Sequence, residues 1–456
     1  MRAPPLERRA RRVLPNDAAV ARHDAAVYDL RRRRDAAAAR VPDWEALREH
    51  ARALKHYSLD HLDTLLLRFE KRALAAGADV HWAIDAAALC DIVGGLLEER
   101  GVHRVVKSKS MLTEECALNP SLARRGIEVV DTDLGERIVQ LAGEPPSHII
   151  VPAIHKSRAE IGALFHEKMG TPAGETDPER LTRLARRNLR QHFLQAEAGI
   201  TGANFAIAET GSLVVVTNEG NADLGMSLPP LHVACLGIEK LIPTLEDLPT
   251  LLRLLARSAT GQAQSAYTSL VTGPRPGGSL HIVLVDNGRS RLLANPTHRA
   301  SLACIRCGAC LNTCPVYRRA GGHSYAPPIP GPIGAVLAPA RGAGPESDAL
   351  PLASSLCGSC SAVCPVKIDL HEQLLAWRGE APQMGLGEGT AIRLAALVLR
   401  HPTLYRRAGR WLRRAWPLLS RRWPGNPVSG WLRGRELPAH PGPSFEERMR
   451  QRGSSQ

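Results

Sequence analysis

Seven of the chain's ten cysteines fall between positions 304 and 364. Cys304, Cys307, Cys310 and Cys314, followed by Pro315, are spaced C-x2-C-x2-C-x3-C-P, the spacing of a bacterial ferredoxin-type 4Fe–4S site. Cys357, Cys360 and Cys364, followed by Pro365, read as the last three cysteines of the same pattern, with Ser354 standing where the first would be. A cubane has four irons, each needing one thiolate, and a loop with two residues between ligands wraps three corners. The fourth cysteine lies past the loop and points away, so it serves the other cluster. The proline after it turns the chain out of the loop, because it fixes φ and lacks a donor. By that logic Cys304, Cys307, Cys310 and Cys364 hold cluster 1, and Cys314, Cys357 and Cys360 hold cluster 2.

Cluster 2 then has three protein thiolates. It is either a 4Fe–4S cluster whose fourth iron carries Ser354, water or a partner ligand, or a 3Fe–4S cluster; the spacing leaves both open. Structural zinc also favours cysteine pairs two apart, but it takes four ligands, and here the first group offers four and the second adds three. A disulfide framework does not suit a cytoplasmic chain. Cys90, Cys116 and Cys235 are isolated and read as small buried apolar residues.

The elements that must position these loops follow from periodicity. Residues 17–75 carry Leu47, Leu54, Leu62, Leu65, Leu66 and Leu67 at helical spacing among charged residues, with Asp43 placed to cap a helix. The Arg run at 31–34 reads as a solvated helix face. From about residue 78 short apolar runs alternate with helical patterns. The predicted strands are Val80–Ala83, Val102–Lys107, Gly126–Val130, His148–Val151, Ala206–Ala208, Leu213–Thr217, Leu231–Leu236 and His281–Val285; the predicted helices include 85–99, 155–168, 179–198 and 246–258. That interleaving predicts an α/β domain with a largely parallel sheet. Residues 320–350, dense in Gly, Pro and Ala, separate the two cysteine groups and predict a helical cluster domain with ligands on loops, and a short helix from Leu370 to Arg378 leads away from Cys364.

No G-x-G-x-x-G opens a helix after a strand and no P-loop is present; Gly385, Gly387 and Gly389 read as a linker. The chain has 456 residues, with 44% hydrophobic and 23% charged. That excludes wholesale disorder and suggests about three domains. Net charge is +14, yet residues 1–40 carry +6 and 391–435 carry +11, leaving −3 for the rest. The basic ends show no helix-turn-helix or zinc-finger pattern, so specific nucleic-acid binding is not expected. Arg outnumbers Lys 51 to 8, which weakens any argument from Arg count. No run approaches the ~18 apolar residues of a membrane span, and the Arg-rich N-terminus has no apolar h-region; a cytoplasmic protein is expected. Trp411, Trp416, Trp423 and Trp431 lie among eleven Arg in 391–435, where Pro402, Pro417, Pro424 and Pro427 should cut any helix short. This segment suits docking on an acidic partner, or peripheral contact with the cytoplasmic face of a membrane.

In the α/β region, Lys107 and Lys109 lie two apart in a predicted strand and so face one side, where they could bind a carboxylate or phosphate. Glu209, Thr210, Gly211, Asn218, Glu219, Gly220 and Asn221 bracket a strand and could line a pocket at its ends, although turn chemistry accounts for the Asn and Gly equally well. Lys107, Lys109 and Glu209 form the candidate substrate pocket. His81, His155 and His166 are not at metal-ligand spacing and read as structural hydrogen-bonders.

Several long motifs in order resemble the lactate utilization protein B (LutB) family of iron–sulfur electron-transport proteins, from Pro42 to about Arg435. They are VVKSKSM at 105–111, DTDLGERIVQL at 131–141, PSHIIVPAIH at 146–155, AETGSLVVVTNEGN at 208–221, GIEKLIPTLEDL at 237–248, GGHSY at 321–325 and PGPIGAVL at 330–337. One position departs, since the acidic motif opens on Asp131 where Glu is commoner in the family. The helical spacing already gives an N-terminal helical region (1–69), and the resemblance implies an α/β lactate-utilization (LUD) domain of NagB/RpiA/CoA-transferase-like fold (70–298), an α-helical ferredoxin domain with two iron–sulfur clusters, two 4Fe–4S or a 4Fe–4S and a 3Fe–4S (299–378), and a family-specific C-terminal segment, basic here (379–456). It implies the same ligand assignment, and an electron carrier within a three-subunit complex oxidising L-lactate to pyruvate. Two electrons leave lactate and each cluster passes one at a time, so two clusters form a short wire. With no flavin or nicotinamide fingerprint, the hydroxy-acid chemistry is expected on a partner. The alternatives are an α/β domain that is itself an enzyme or binder for a small carboxylate or CoA ester, and an iron–sulfur nucleic-acid-binding regulator.

Overall fold

A computed structural model describes residues 5–325, 328–342, 344–380, 386–419 and 442–453. The chain divides into two compact units, Met1–Ala381 and Pro382–Gln456.

The first unit opens with four helices: α1 (Pro5–Val13), α2 (Asp17–Ala39), α3 (Trp44–Asp60) and α4 (Leu62–Ala75). Asn16 caps α2 by accepting from the Ala19 amide at 3.0 Å. Asp43 precedes α3 as expected, but its carboxylate makes no cap bond and instead pairs with Arg253 at 3.2 Å.

Ten strands follow: β1 (Asp79–Ala83), β2 (Arg104–Lys107), β3 (Glu128–Asp131), β4 (Ala198–Gly202), β5 (Phe205–Ile207), β6 (Ser212–Thr217), β7 (Leu231–Gly237), β8 (Leu241–Ile242), β9 (Tyr267–Val271) and β10 (Ser279–Val285). Six form one sheet in the order β1-β10-β7-β4-β2-β3, parallel throughout. The other four form a mixed sheet, β8-β5-β6-β9.

Strand alternation divides the core cleanly. Val233, Cys235, Val283 and Val285 pack with Leu89, Val93 and Leu97 of the helix Ala86–Glu98. Their neighbours Ala234, Leu236, Ile282 and Leu284 pack on the other face with Leu65, Leu66 and Phe69 of α4. A parallel sheet covered on both faces is why β7 and β10 read as continuous apolar runs. Each buried Val, Leu or Ile contributes about 1.5–3 kcal/mol.

Two sequence expectations fail here. Residues 148–151 form bends, not a strand. The His148 imidazole Nδ1 accepts from the Ile150 and Val151 amides at 3.0 and 3.2 Å, and so takes donors that a ladder would need. Conversely, β4 went unread because its sequence is Ala-Gly-Ile-Thr-Gly. Gly199 is required there: a Cβ would lie 1.8 Å from the Gly225 carbonyl oxygen of the helix Asn221–Ser227. The short β8 and the edge strand β9 were also not anticipated.

The second unit contains the helices Leu386–Arg400, Pro402–Leu419 and Phe445–Gly453. Gly387 and Gly389 lie inside the first of these, not in a linker. Pro402 opens the second helix, which runs on through Pro417 to Leu419, so neither proline shortens it as expected. Trp411 is exposed on it. Gly385, Trp423, Trp431, Pro424 and Pro427 lie outside the described residues. Among the described residues no helix is long and apolar enough to cross a membrane.

Candidate metal centres and the adjoining cleft

The two cysteine groups sit on one backbone device used twice, fifty positions apart. Cys304, Cys307, Gly308, Cys310, Cys314 and Pro315 correspond to Ser354, Cys357, Gly358, Cys360, Cys364 and Pro365. Arg306 and Leu356 both have positive φ (61° and 55°), as do Gly308 and Gly358 (76° and 75°). One-turn helices follow at Ala309–Thr313 and Ser359–Val363. Left-handed residues of this kind turn successive amides toward one point, forming a nest for a negatively charged group. The Arg306 amide donates to Cys304 Sγ at 3.4 Å. In the second loop the Leu356 amide donates to Ser354 Oγ at 3.1 Å. Ser354 thus takes the structural part of the missing cysteine, down to the same hydrogen bond.

Cys304, Cys307, Cys310 and Cys364 line a single apolar cavity, closed by Ile149, Ile305, Ile333, Ile368 and Leu370. The Ile368 amide donates to Cys364 Sγ at 3.3 Å. Burial pushes the Cys364 thiol up to about 12, with Cys304 adding to the rise. In the other set, burial pushes Cys360 up to about 11, with contributions from Cys314 and Cys357. Cys314 is raised by burial while the Tyr317 and Val316 amides pull it down. Cys357 is exposed, and all ten cysteines are free thiols. Buried thiols that oppose one another's ionisation, yet face backbone N–H donors, suit a polycationic metal–sulfide core. The residues therefore fit iron–sulfur clusters.

The N-terminal helices close over these loops. Arg48 of α3 donates from Nε and Nη2 to the Cys364 carbonyl at 3.1 and 2.8 Å, and to the Ala362 carbonyl at 2.9 Å. Arg34 of α2 is buried and donates to the Val363 carbonyl at 3.1 Å. Arg31 reaches the Thr313 hydroxyl. The Arg run is therefore split: Arg32 and Arg33 pair with Asp29 near the surface, while Arg31 and Arg34 hold the cluster loops. Reading the whole run as solvated was wrong, since every third or fourth position of a helix shares a face.

From the other side, the loop 145–151 docks on the cluster region. His148 Nε2 meets Asn312 Oδ1 at 3.0 Å, Tyr317 donates to the Ser147 carbonyl at 2.7 Å, and His323 Nε2 meets the Pro145 carbonyl at 2.8 Å. Burial pulls the His148 imidazole down to about 3, so it stays neutral. His81 and His166 are engaged with His281 and the Thr171 carbonyl. His155 lies within 4.8 Å of Glu144 and His323, but its ring is held between Ser147 and Glu144, and Lys156 occupies the same carboxylate at 2.7 Å.

The three candidate pocket residues are not brought together. The strand ends at Lys107, whose fully buried ammonium sits 2.8 Å from Asp131 and 3.2 Å from Glu114. Burial opposes its charge, but Asp131, Glu136 and Glu114 outweigh burial and hold it protonated. The same burial raises Glu136 to about 8, against the pull of Lys107. Lys107 is thus part of an internal ion network. Glu209 accepts from the Leu245 amide at 3.0 Å at the other end of β6 and lines no shared pocket with the lysines. Lys109, paired with Asp133 at 3.0 Å, does face a cleft.

That cleft, about 340 Å³, opens at the carboxyl ends of β2, β4 and β7. The chain leaves β2 toward β3 but leaves β4 toward β7, so this is the topological switch point of the sheet, where open α/β folds bind ligands. Asn218, Glu219 and Asn221 line it, so one end of the bracketed strand does reach a cavity. Burial and Asp133 raise Glu219 to about 7. Sequence reasoning missed Lys240 and Arg306, which also line it. Lys240 is one of only eight lysines in an Arg-rich chain, and that scarcity was the usable signal.

Comparison with known proteins fits this division of the chain. Residues 66–292 match the LUD domain and residues 300–368 the 4Fe-4S dicluster domain. Lactate utilization protein B of Bacillus cytotoxicus is 43% identical over 385 residues, covering 81% of this chain and 80% of the relative. That of Bacillus pumilus is 41% identical over 445 residues, covering 93% and 92%. An uncharacterized electron transport protein of Escherichia coli (strain K12), YkgF, is 42% identical over 416 residues, covering 88% and 87%. A solved duf162 family protein from Deinococcus radiodurans overlaps at 17% identity with a TM-score of 0.28, covering 49% of this chain and 98% of that one. With such identity along nearly its whole length, the chain belongs to the lactate utilization protein B family.

Proposed function

We propose that this chain is the iron–sulfur electron-transfer subunit of a complex with two other subunits that oxidises L-lactate to pyruvate in the cytoplasm. The observation that carries the reading is the convergence of Cys304, Cys307, Cys310 and Cys364 on one buried apolar cavity, under backbone N–H donors. These four are the ligands of cluster 1. Cys314, Cys357 and Cys360 hold cluster 2, with the Ser354 hydroxyl at the fourth corner.

When bound, a 4Fe–4S cluster takes up and releases one electron at a time. The chain's own residues exclude water from the first site, orient the thiolates and offset their charge. Arg34 and Arg48 do the last of these from the side of Cys364, which favours the reduced state. The names of the relatives, lactate utilization protein B and electron transport protein, support the same role. Chemistry on the hydroxy acid falls to a partner subunit in this reading, which the lack of a G-x-G-x-x-G dinucleotide fingerprint in the sequence supports.

Anaerobic purification with iron and sulfide counting, followed by EPR before and after reduction, tests this. About eight irons per chain are expected for two cubanes. About seven, with a 3Fe–4S signal in the oxidised sample, would leave Ser354 without iron. Zinc in place of iron would overturn the proposal.

A further inference from the structure

In the second unit, the helix Pro402–Leu419 sorts two kinds of side chain onto opposite faces. At 3.6 residues per turn, Leu404, Tyr405, Ala408, Trp411, Leu412 and Trp416 share an arc of about 140°. Arg406, Arg407, Arg410, Arg413 and Arg414 fall on the opposite arc, and the helix contains no acidic residue. Much of the apolar arc is bare: Tyr405 is 58% and Trp411 66% exposed, and Leu404 and Leu412 are exposed beside them. The preceding helix, Leu386–Arg400, adds exposed Leu394, Leu397 and Leu399. On the basic arc the helix Phe445–Gly453 supplies two carboxylates, Glu446 to Arg406 at 3.4 Å and Glu447 to Arg413 at 2.9 Å. Arg407, Arg410 and Arg414 are exposed and form no ion pair with a described residue.

We propose that this helix lies along the surface of an anionic membrane, its apolar arc among the acyl chains and its arginines at the lipid phosphates. A single protein surface would meet one arc or the other. A bilayer offers both chemistries in layers, and long arginine side chains reach back from the flanks to the headgroups. The prolines predict a helix cut short, which would suit a protein partner. Instead the helix runs on through Pro417, and its apolar arc stays continuous.

The tryptophans favour the same occupant. Aromatic residues are only 4% of the chain, yet four of its seven Trp fall in 391–435, among eleven Arg and no Asp or Glu. Trp settles at the boundary between acyl chains and water, and each Arg is drawn to an anionic leaflet. With an arginine in every turn the helix rests on the bilayer and does not span it; among the described residues no helix is apolar enough to cross.

Co-sedimentation of the full-length, anaerobically purified chain with vesicles tests this. One set is phosphatidylcholine alone, the other equal parts phosphatidylcholine and phosphatidylglycerol. The expected result is binding to the mixed vesicles well ahead of phosphatidylcholine alone, falling as salt rises. An arginine near an anionic surface is worth roughly fivefold in affinity. Arg407→Gln, Arg410→Gln and Arg414→Gln combined should therefore weaken binding roughly a hundredfold. Leu404→Gln with Trp411→Gln should weaken it about tenfold or more. All five positions are exposed, so iron content and unfolding midpoint should not change. The vesicle comparison and the salt series need no variant, so they hold even where a substitution disturbs folding. No binding to the mixed vesicles overturns the proposal, and binding to polyglutamate in its place would make an acidic protein the occupant. Equal binding to both vesicle types overturns it too. So does binding indifferent to Leu404→Gln with Trp411→Gln, which would be bare charge attraction.

Discussion

The two cysteine loops share a backbone and differ in what surrounds it. In the first, Cys307 and Cys310 are buried and Cys304 half-buried, in an apolar cavity; in the second, Cys357 is exposed and Ser354 replaces a thiol. Because each loop lends its last cysteine to the other, the inequality is not simply local. The buried site is sealed by Cys364 of the second loop, with Arg48 fixed on that residue's carbonyl. The more open site has three thiols and borrows Cys314. One closed centre and one open centre on the same scaffold give an electron an inside and an outside.

The strongest way to break this contrast is to remove the shared corner. Cys364→Ala should abolish cluster 1 and cut bound iron by about half, read by iron counting and loss of one EPR signal. Ser354→Cys should make the loops alike, giving about eight irons and no 3Fe–4S signal even under oxidation, whereas Ser354→Ala should favour the three-iron form; EPR of the oxidised protein reads both. Arg48→Met removes one of the two buried guanidinium groups at the closed centre and leaves the Ala362 carbonyl unpaired, while the Cys364 carbonyl keeps the Lys367 amide at 3.1 Å. It should cost about 3 kcal/mol in thermal or denaturant unfolding and lower the potential of cluster 1 while sparing cluster 2.

A smaller effect serves as the control. Burial raises Glu136 from its ordinary 4.5 to about 8, so the folded chain holds a proton there that the unfolded chain releases. That contribution is fully present below about 4.5 and is lost as pH rises toward about 8. Glu136→Gln should therefore flatten the fall in unfolding midpoint between those limits and leave the iron content of both centres unchanged.

The sequence was most legible where chemistry dictates spacing. Seven thiols and two prolines sufficed to separate the loops and to flag Ser354. Apolar runs located seven strands, because β7 and β10 are buried on both faces. It was least legible where one residue does a job that belongs to a distant segment. Gly199 makes room for the Gly225 carbonyl, so β4 looks like a turn. His148 satisfies two amides with its ring, so its loop looks like a strand. Arg34 looks solvated until Val363 is brought to it. The cleft suffers similarly, since Lys240 and Arg306 meet only after the cluster domain folds back onto the sheet.

The hold of α2 and α3 on the cluster loops has a consequence for biosynthesis. Arg48 and Arg34 leave the ribosome 316 and 329 positions ahead of the carbonyls they bind. For most of translation these guanidinium groups have nothing to hold, and the first helices lack the surface on which they finally rest. The closed centre can therefore reach its mature form only after release of nearly the whole first unit, and iron delivery is in effect a post-translational step. By the same reasoning, clipping the amino terminus removes no ligand yet exposes the sulfurs to solvent and oxygen, so damage there would register as a loss of metal.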